Sequence, residues 1–278
     1  MSGRVSTAPS DRGRVLIIAG SDSGGGAGIQ GDIKTVTMLG GYAATAITAI
    51  TVQNTLGVSA VHAVPADIVI GQIGAVLDDI GADAIKTGMI GDADLIVAIA
   101  EQLANRPAMP PLVVDPVMVA KGGASLIGTR AVSALKAELF NKARIITPNI
   151  PEAEHLTGLQ IGDVPGQKRA AQVLLSLGAQ AVLVKGGHLA GREIHDVLLT
   201  DEGFETFSAP RIDTPHTHGT GCALASAIAC GLAQGMALVP AVTRAREYVH
   251  QAIRSAPGFG AGHGPLDHAH PLRRNTHE

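Results

Sequence analysis

Residues 15–39 read VLIIAGSDSGGGAGIQGDIKTVTML, and this stretch decides the fold. The apolar, partly β-branched residues at 15–19 have the length and composition of a buried strand. A glycine-rich loop follows. From Gly28 onward Ile29, Ile33, Val36 and Leu39 fall at i, i+4, i+7 and i+10, a single apolar stripe on a helix over 28–39. Strand, loop and helix in that order open a βαβ unit. The alternation continues outward: apolar runs at 43–51, 82–86, 112–115, 143–147 and 181–185 read as strands, and helical patterns cover 66–79, 93–104, 166–177 and 221–234. Segments 196–201 and 204–208, joined through Glu202-Gly203, read as an antiparallel hairpin added near the end of the sheet. The expected architecture is α/β, an open, mostly parallel sheet with helices on both faces. No linker and no repeat of roughly 20–50 residues interrupts it, so residues 14–278 are expected to form one domain behind a loose polar tail at 1–13.

Composition agrees with this reading and removes several classes of function. Hydrophobic residues make up 46% of the 278 but aromatics only 2%, so the core is built from Ala, Val, Ile and Leu, the residues that fill parallel sheets and their covering helices. Net charge is −3 with a pI near 6.4, and no Lys/Arg-rich run occurs, which excludes the electrostatic footprint of a nucleic-acid binder. The two cysteines, Cys222 and Cys230, give no disulfide framework and suit a reducing compartment, the cytoplasm. Residues 1–13 lack the apolar core of a signal peptide, and no apolar run is long enough to span a membrane.

In open α/β sheets ligands sit beyond the carboxyl ends of the strands. The unusual residues follow strands directly: Gly20-Ser21-Asp22, Lys86-Thr87-Gly88-Met89, Asp115-Pro116-Val117-Met118, Thr147-Pro148-Asn149 and Lys185-Gly186-Gly187. His218-Gly219-Thr220-Gly221-Cys222 opens the helix at 221–234, where glycines expose backbone N–H groups beside the positive end of a helix dipole. That is a candidate anion hole, and phosphate is its natural guest. Cys222 lies in the first turn, where the dipole is expected to lower a thiol pKa; the plainer reading is a small buried hydrophobe. Asp115, Asn149 and Glu152 supply oxygens suited to Mg²⁺, which in phosphoryl-transfer sites uses one or two carboxylates plus waters and phosphates. Glu152 could equally serve the first turn of a helix starting at Pro151. Lys185 could neutralise a phosphate or simply be solvated. His216, His218 and Cys222 do not match zinc spacings. Gly26-Ala27-Gly28-Ile29-Gln30-Gly31 satisfies G-x-G-x-x-G but begins several residues after the strand, and residues 43–54 contain no acid, so it is not read as a dinucleotide fingerprint; no G-x-x-x-x-G-K-[ST] occurs.

Eight ordered blocks carry a resemblance: AGSDSGGGAGIQGDIKT (19–35), TAITVQNTLGV (48–58), IKTGMIGD (85–92), VVDPVMVAKGG (113–123), ITPNIPEAEHLTG (146–158), VLVKGGH (182–188), THGTGCALASAIA (217–229) and GHGPLDH (262–268). From about residue 14 to residue 270 the chain resembles the ribokinase-like superfamily and, within it, the hydroxymethylpyrimidine and phosphomethylpyrimidine kinases of thiamine synthesis. The resemblance implies ATP-dependent phosphorylation of hydroxymethylpyrimidine and then of its monophosphate, with Mg²⁺, in a cytoplasmic homodimer. It places the pyrimidine among Gly20, Asp32, Gln53, Met89 and Val117, with Met89 and Val117 as apolar walls and Gln53 and Asp32 on the edge nitrogens. It assigns Asp115 and Glu152 to the Mg²⁺ side, Lys185 and Asn149 to the nucleotide, and Gly219, Thr220, Gly221 and Cys222 to the catalytic anion hole. Most superfamily members carry Asp where Cys222 stands; Cys is the pattern of the pyrimidine kinases and some related pyridoxal kinases. A pyridoxal kinase on the same scaffold is the alternative acceptor reading, and a non-catalytic ligand-binding protein of the same fold the alternative from another class.

Overall fold

The computed structural model describes residues 12–118 and 127–274. The expected tail at 1–13 lies outside them apart from Arg12 and Gly13, as does the end of the 113–123 block. Gly13 is already part of the body: it is buried, and its carbonyl accepts the N–H of Tyr42 at 2.9 Å.

The strands are β1 (Arg14–Asp22), β2 (Tyr42–Asn54), β3 (Gly57–Ala63), β4 (Ala84–Thr87), β5 (Leu112–Val114), β6 (Ile145–Ile146), β7 (Val182–Val184), β8 (Glu193–Thr200) and β9 (Gly203–Pro210). They form one sheet in the order β3-β2-β1-β4-β5-β6-β7-β8-β9. Pairs from β2 to β7 through β1, β4, β5 and β6 are parallel; β2–β3, β7–β8 and β8–β9 are antiparallel. The hairpin read at 196–208 is present and longer at both ends, closing one side of the sheet.

Helices α1 (Gly28–Met38), α7 (Thr220–Ala233) and α8 (Leu238–Arg254) cover one face. Helices α2 (Ala66–Ala75), α3 (Ala93–Ala104), α4 (Thr129–Ala134), α5 (Ile150–Thr157) and α6 (Val164–Leu175) cover the other, and a last short helix, α9, spans His270–Arg274. Strand residues alternate between the two layers. Leu16 and Ile18 of β1 join the α2–α6 side, while Val15, Ile17 and Ala19 join the α1, α7 and α8 side. Burial on both faces is why these strands read as unbroken apolar runs.

The structure departs from the sequence expectation in several places, α4 among the elements not read from it. Strand β3 was not foreseen, because most of its side chains are exposed and nothing imposes an apolar alternation. Helix α8 was not named either, although Leu238, Ala241, Val242, Ala245, Tyr248, Val249 and Ala252 are its buried stripe. In α1 the expected stripe is rotated. Ile29 and Val36 are buried, but so are Asp32 and Thr35, whereas Ile33 is 37% exposed. Polar partners make that rotation tolerable: Lys86 and Ser226 beneath α1 for Asp32, and for Thr35 the Gly31 carbonyl one turn back in α1 together with His268.

From β1 the chain crosses to β2 on one side and later to β4 on the other. The carboxyl ends of β1 and β4 therefore flank a topological switch point, the place where such sheets bind ligands.

Candidate active site

A cavity of about 830 Å³ opens at that switch point, and its lining runs from Gly20, Gln53 and Met89 at one end to His188, Arg211 and His250 at the other. At the first end, Gly20 and Met89 touch across the gap between β1 and β4. A Cβ on Gly20 would lie 2.4 Å from the Met89 methyl, so the glycine makes room for the thioether to form a wall. Val117 lines the same cavity after a tight turn in which its N–H donates to the Asp115 carbonyl at 2.8 Å.

Asp32 corrects the sequence expectation. It is fully buried in α1 and does not border the cavity. Its Oδ2 accepts from Lys86 Nζ at 2.7 Å and its Oδ1 from Ser226 Oγ at 2.7 Å, so each oxygen is engaged by a buried partner beneath the cavity floor. The carboxylate at this end that does border the cavity is Asp22.

The middle of the cavity brings together most of the remaining predicted residues. Asp115, at the end of β5, is 2% exposed; its Oδ1 accepts from Lys185 Nζ at 2.9 Å and from Thr147 Oγ1 at 3.2 Å. Lys185 follows β7. Burial, the largest single influence, pulls its pKa down, but the Asp115 and Glu152 carboxylates outweigh it and hold the ammonium above its ordinary value. Asn149 and Glu152 form a reciprocal capping box on α5, with Asn149 Oδ1 accepting from the Glu152 N–H at 2.9 Å and Glu152 Oε2 from the Asn149 N–H at 2.8 Å. The helix-start reading of Glu152 is therefore realised, and the same side chain also faces the cavity. Burial, countered by Lys185 and reinforced by Asp115, pushes its carboxyl up to about 7.

Gly219 is the N-cap of α7 at φ 85°, and a Cβ there would lie 1.8 Å from the Gly26 carbonyl oxygen, which restricts the position to glycine. Thr220 turns its hydroxyl to the Thr217 carbonyl at 2.7 Å, so that hydrogen is not offered to the cavity. Ala223 N–H returns to the Gly219 carbonyl at 2.9 Å, leaving Gly221 and Cys222 N–H as first-turn donors that could serve an anion. A Cβ on Gly221 would lie 3.1 Å from Lys185 Nζ and 3.7 Å from Asp115 Oδ2, which measures how closely the helix end approaches that pair.

Cys222 corrects a second expectation. Burial decides the direction: it pushes the thiol up to about 11, against the pull of Lys86 and of the Gly28 N–H that donates to its sulfur. The side chain is a neutral thiol at the meeting point of the α1 and α7 N-termini.

Three residues at this cavity stand in loops and motifs quoted from the sequence but were given no role of their own there. Asp22 and His218 pair at 2.8 Å, and Lys86 reaches the cavity floor from within β4. A lysine inside an otherwise apolar strand was the available signal for Lys86, because a buried ammonium requires a partner.

A family model described as phosphomethylpyrimidine kinase matches residues 22–267. The chain is 47% identical over 259 residues to the hydroxymethylpyrimidine/phosphomethylpyrimidine kinase of Streptomyces coelicolor, covering 93% of this chain and 95% of that one. It is 55% identical over 262 residues to a thiamine biosynthesis bifunctional protein of Geobacter sulfurreducens, matching 94% of this chain but spanning only about half, 53%, of that protein. Among solved structures, the Bacillus subtilis pyridoxal kinase in complex with ADP superposes with a TM-score of 0.88 at 36% identity, over 95% of this chain and all, 100%, of that one. The Clostridium difficile phosphomethylpyrimidine kinase superposes with a TM-score of 0.76 at 43% identity, over 86% and 99%.

Proposed function

The chain belongs to the phosphomethylpyrimidine kinase family, with a ribokinase-like α/β fold, and on that premise we propose that it transfers the γ-phosphoryl group of ATP to 4-amino-5-hydroxymethyl-2-methylpyrimidine and then to the monophosphate so formed. The observation that carries this reading is the single cavity shared by an apolar-walled end (Gly20, Met89, Val117, Gln53) and an anion-binding middle (Gly219 to Cys222, Lys185). A flat ring with a CH₂OH arm fits the first, and phosphates fit the second.

Phosphoryl transfer asks a protein mainly for positioning and charge stabilisation. The Gly221 and Cys222 N–H groups and the Lys185 ammonium would receive the transferring group, and Asn149 at the α5 cap would border the nucleotide. The residues present suit Mg²⁺: Asp115 and Glu152 both flank Lys185, and no cluster of three or more His, Cys, Asp or Glu that could hold a metal unaided occurs among the described residues. Two carboxylates befit a cation that completes its shell with phosphate oxygens and water, and when bound it supplies charge neutralisation on the polyphosphate. Cys222 borders the same cavity, close to the acceptor arm in this arrangement. As a neutral thiol it adds no charge beside an acceptor that is already a phosphate monoester; its thiolate form would take the hydroxyl proton.

We further take the enzyme to be a cytoplasmic homodimer. Both cysteines are free thiols, and Ile50, Val52 and Val61 leave apolar surface exposed on the β2–β3 extension. No helix among the described residues is long and apolar enough to cross a membrane.

The superposition on pyridoxal kinases favours a second reading, pyridoxal as acceptor on the same scaffold. An ATP-dependent assay comparing hydroxymethylpyrimidine, its monophosphate and pyridoxal decides between them. Turnover of both pyrimidines with a higher kcat/KM than pyridoxal is expected, and a strong preference for pyridoxal overturns the assignment.

A further inference from the structure

Asp22 is 3% exposed, and its oxygens collect the N–H groups of the following loop: Gly24 at 2.8 Å on Oδ1, then Gly26 at 3.2 Å and Ala27 at 2.8 Å on Oδ2. Although burial is the largest single influence and opposes ionisation, His218 and the Ala27 and Gly24 N–H groups hold the carboxyl below its usual range. Asp22 is therefore an acceptor only. His218 Nε2 lies 2.8 Å from Asp22 Oδ2, so that ring nitrogen carries a hydrogen. The ring can lie there because residue 26 has no side chain; a Cβ on Gly26 would be 2.5 Å from His218 Cδ2.

Gln53 rests against this pair. One end of its amide is 3.4 Å from His218 Nε2 and the other is 3.0 Å from Thr51 Oγ1. The two ends of an amide are alike in shape, and hydrogen counting chooses between them. Drawn with Nε2 toward His218 and Oε1 toward Thr51, the amide sets two donors against each other at the histidine. It also competes for the one hydroxyl hydrogen of Thr51, which the Ser21 carbonyl, purely an acceptor, takes at 2.8 Å. Turned over, the amide oxygen becomes the second acceptor, at 3.4 Å, of the one Nε2 hydrogen that His218 gives chiefly to Asp22, and the amide NH₂ donates to Thr51. Both neighbours demand this same orientation.

An amide held in this way keeps one lone pair on oxygen and one hydrogen on nitrogen, side by side at the cavity. The complementary ring edge is a donor beside an acceptor, which is an amino group on the carbon next to a ring nitrogen. We propose that Asp22, His218 and Thr51 are positioning residues that lock the Gln53 amide in the orientation that recognises the amino group and adjacent ring nitrogen of an aminopyrimidine acceptor. They act through Gln53 and not on the reacting atoms. The inference rests on the acceptor proposed above.

The test compares kcat/KM for hydroxymethylpyrimidine and for its analogue lacking the 4-amino group, in wild type, His218→Leu, His218→Gln and Thr51→Val. In wild type, loss of the amino group is expected to lower kcat/KM by roughly 10–100-fold, the usual consequence of leaving a buried polar group unpaired. In His218→Leu and Thr51→Val that ratio should collapse to within about threefold, through a raised KM for the aminopyrimidine with KM for ATP unchanged. His218→Gln, which keeps an N–H for Asp22 and Gln53, should restore part of the discrimination. Thr51→Val is nearly isosteric and keeps the test alive if His218→Leu fails to fold. Turnover of the aminopyrimidine with an unchanged ratio in the folded variants overturns this inference alone, whereas no turnover of it by the wild type removes the acceptor assignment and the inference with it.

Discussion

Lys86 Nζ donates to Asp32 Oδ2 across 2.7 Å with both side chains at 0% exposure, one on the central strand β4 and the other on α1, which packs on the neighbouring strand β1. Burial pulls the lysine pKa down, but Asp32 outweighs it and keeps the ammonium charged. Removing one member of such a pair leaves an uncompensated buried charge. Lys86→Met is therefore expected to cost about 3–5 kcal/mol of stability, and Lys86→Met with Asp32→Leu to recover most of it. Urea unfolding of the three proteins measures this, and a single-variant loss under about 1 kcal/mol would contradict the pairing.

Asp115 and Glu152 face each other across Lys185. Asp115→Asn or Glu152→Gln should cut turnover by at least about tenfold and move half-maximal activity to higher Mg²⁺ concentration, because each carboxylate contributes to cation affinity. Glu152 also caps α5, so its variant needs a thermal-melt control. Lost activity that tracks lost folding, with the Mg²⁺ dependence unaltered, would reduce Glu152 to its capping role.

Cys222 allows the two phosphorylations to be separated. Cys222→Asp should retain a substantial part of the first, because a carboxylate is a competent base, and lose much more of the second. Like charges ~5 Å apart at an effective dielectric near 20 repel by about 3 kcal/mol, on the order of a hundredfold in kcat/KM. Cys222→Ser should slow both steps. Equal losses for the alcohol and the monophosphate in Cys222→Asp would dispose of the charge argument.

His268 makes stability depend on acid. Burial, assisted by the charges of Lys34 and His270, lowers its pKa to about 4, while Thr35 and Tyr248 surround Nδ1 at 3.3 and 3.2 Å. A histidine whose folded pKa lies below its unfolded value stabilises the protein fully above that unfolded value, about 6.5, and loses the contribution as pH falls toward about 4. Between pH 7 and pH 5 the wild type should lose roughly 2 kcal/mol more than His268→Gln, measured from urea midpoints at the two pH values.

The parallel core was legible because burial on both faces writes the same apolar message along most of β1, β5 and β7, and along β4 up to Lys86. The helix expected at 93–104 is Ala93–Ala104 to the residue, capped by Asp92 through the Leu95 N–H at 2.9 Å. Strand β3 carries no such message, since its surroundings are mostly water. Asp32 was misplaced for a different reason. A carboxylate in a family motif declares its chemistry but not the side of the helix it occupies, and the stripe that ought to have settled this contained Ile33, which faces outward. Asp22 and His218 were quoted in their motifs but not paired, because a lone acid in a glycine loop gains meaning only from a partner that sequence distance hides.

That distance has a consequence in time. Asp22 and His218 touch in the folded chain but are 196 residues apart along it, and Ser226 is 194 residues beyond Asp32. At synthesis rates of roughly 5–20 residues per second, the glycine loop leaves the ribosome roughly 10–40 s before the histidine that braces it. Lys86 follows Asp32 after only 54 residues, but Asp22 waits through the whole of that interval for His218. A translation product arrested before His218 would carry the central strands of the sheet but no finished cleft, so catalytic competence arrives all at once, near the end of synthesis.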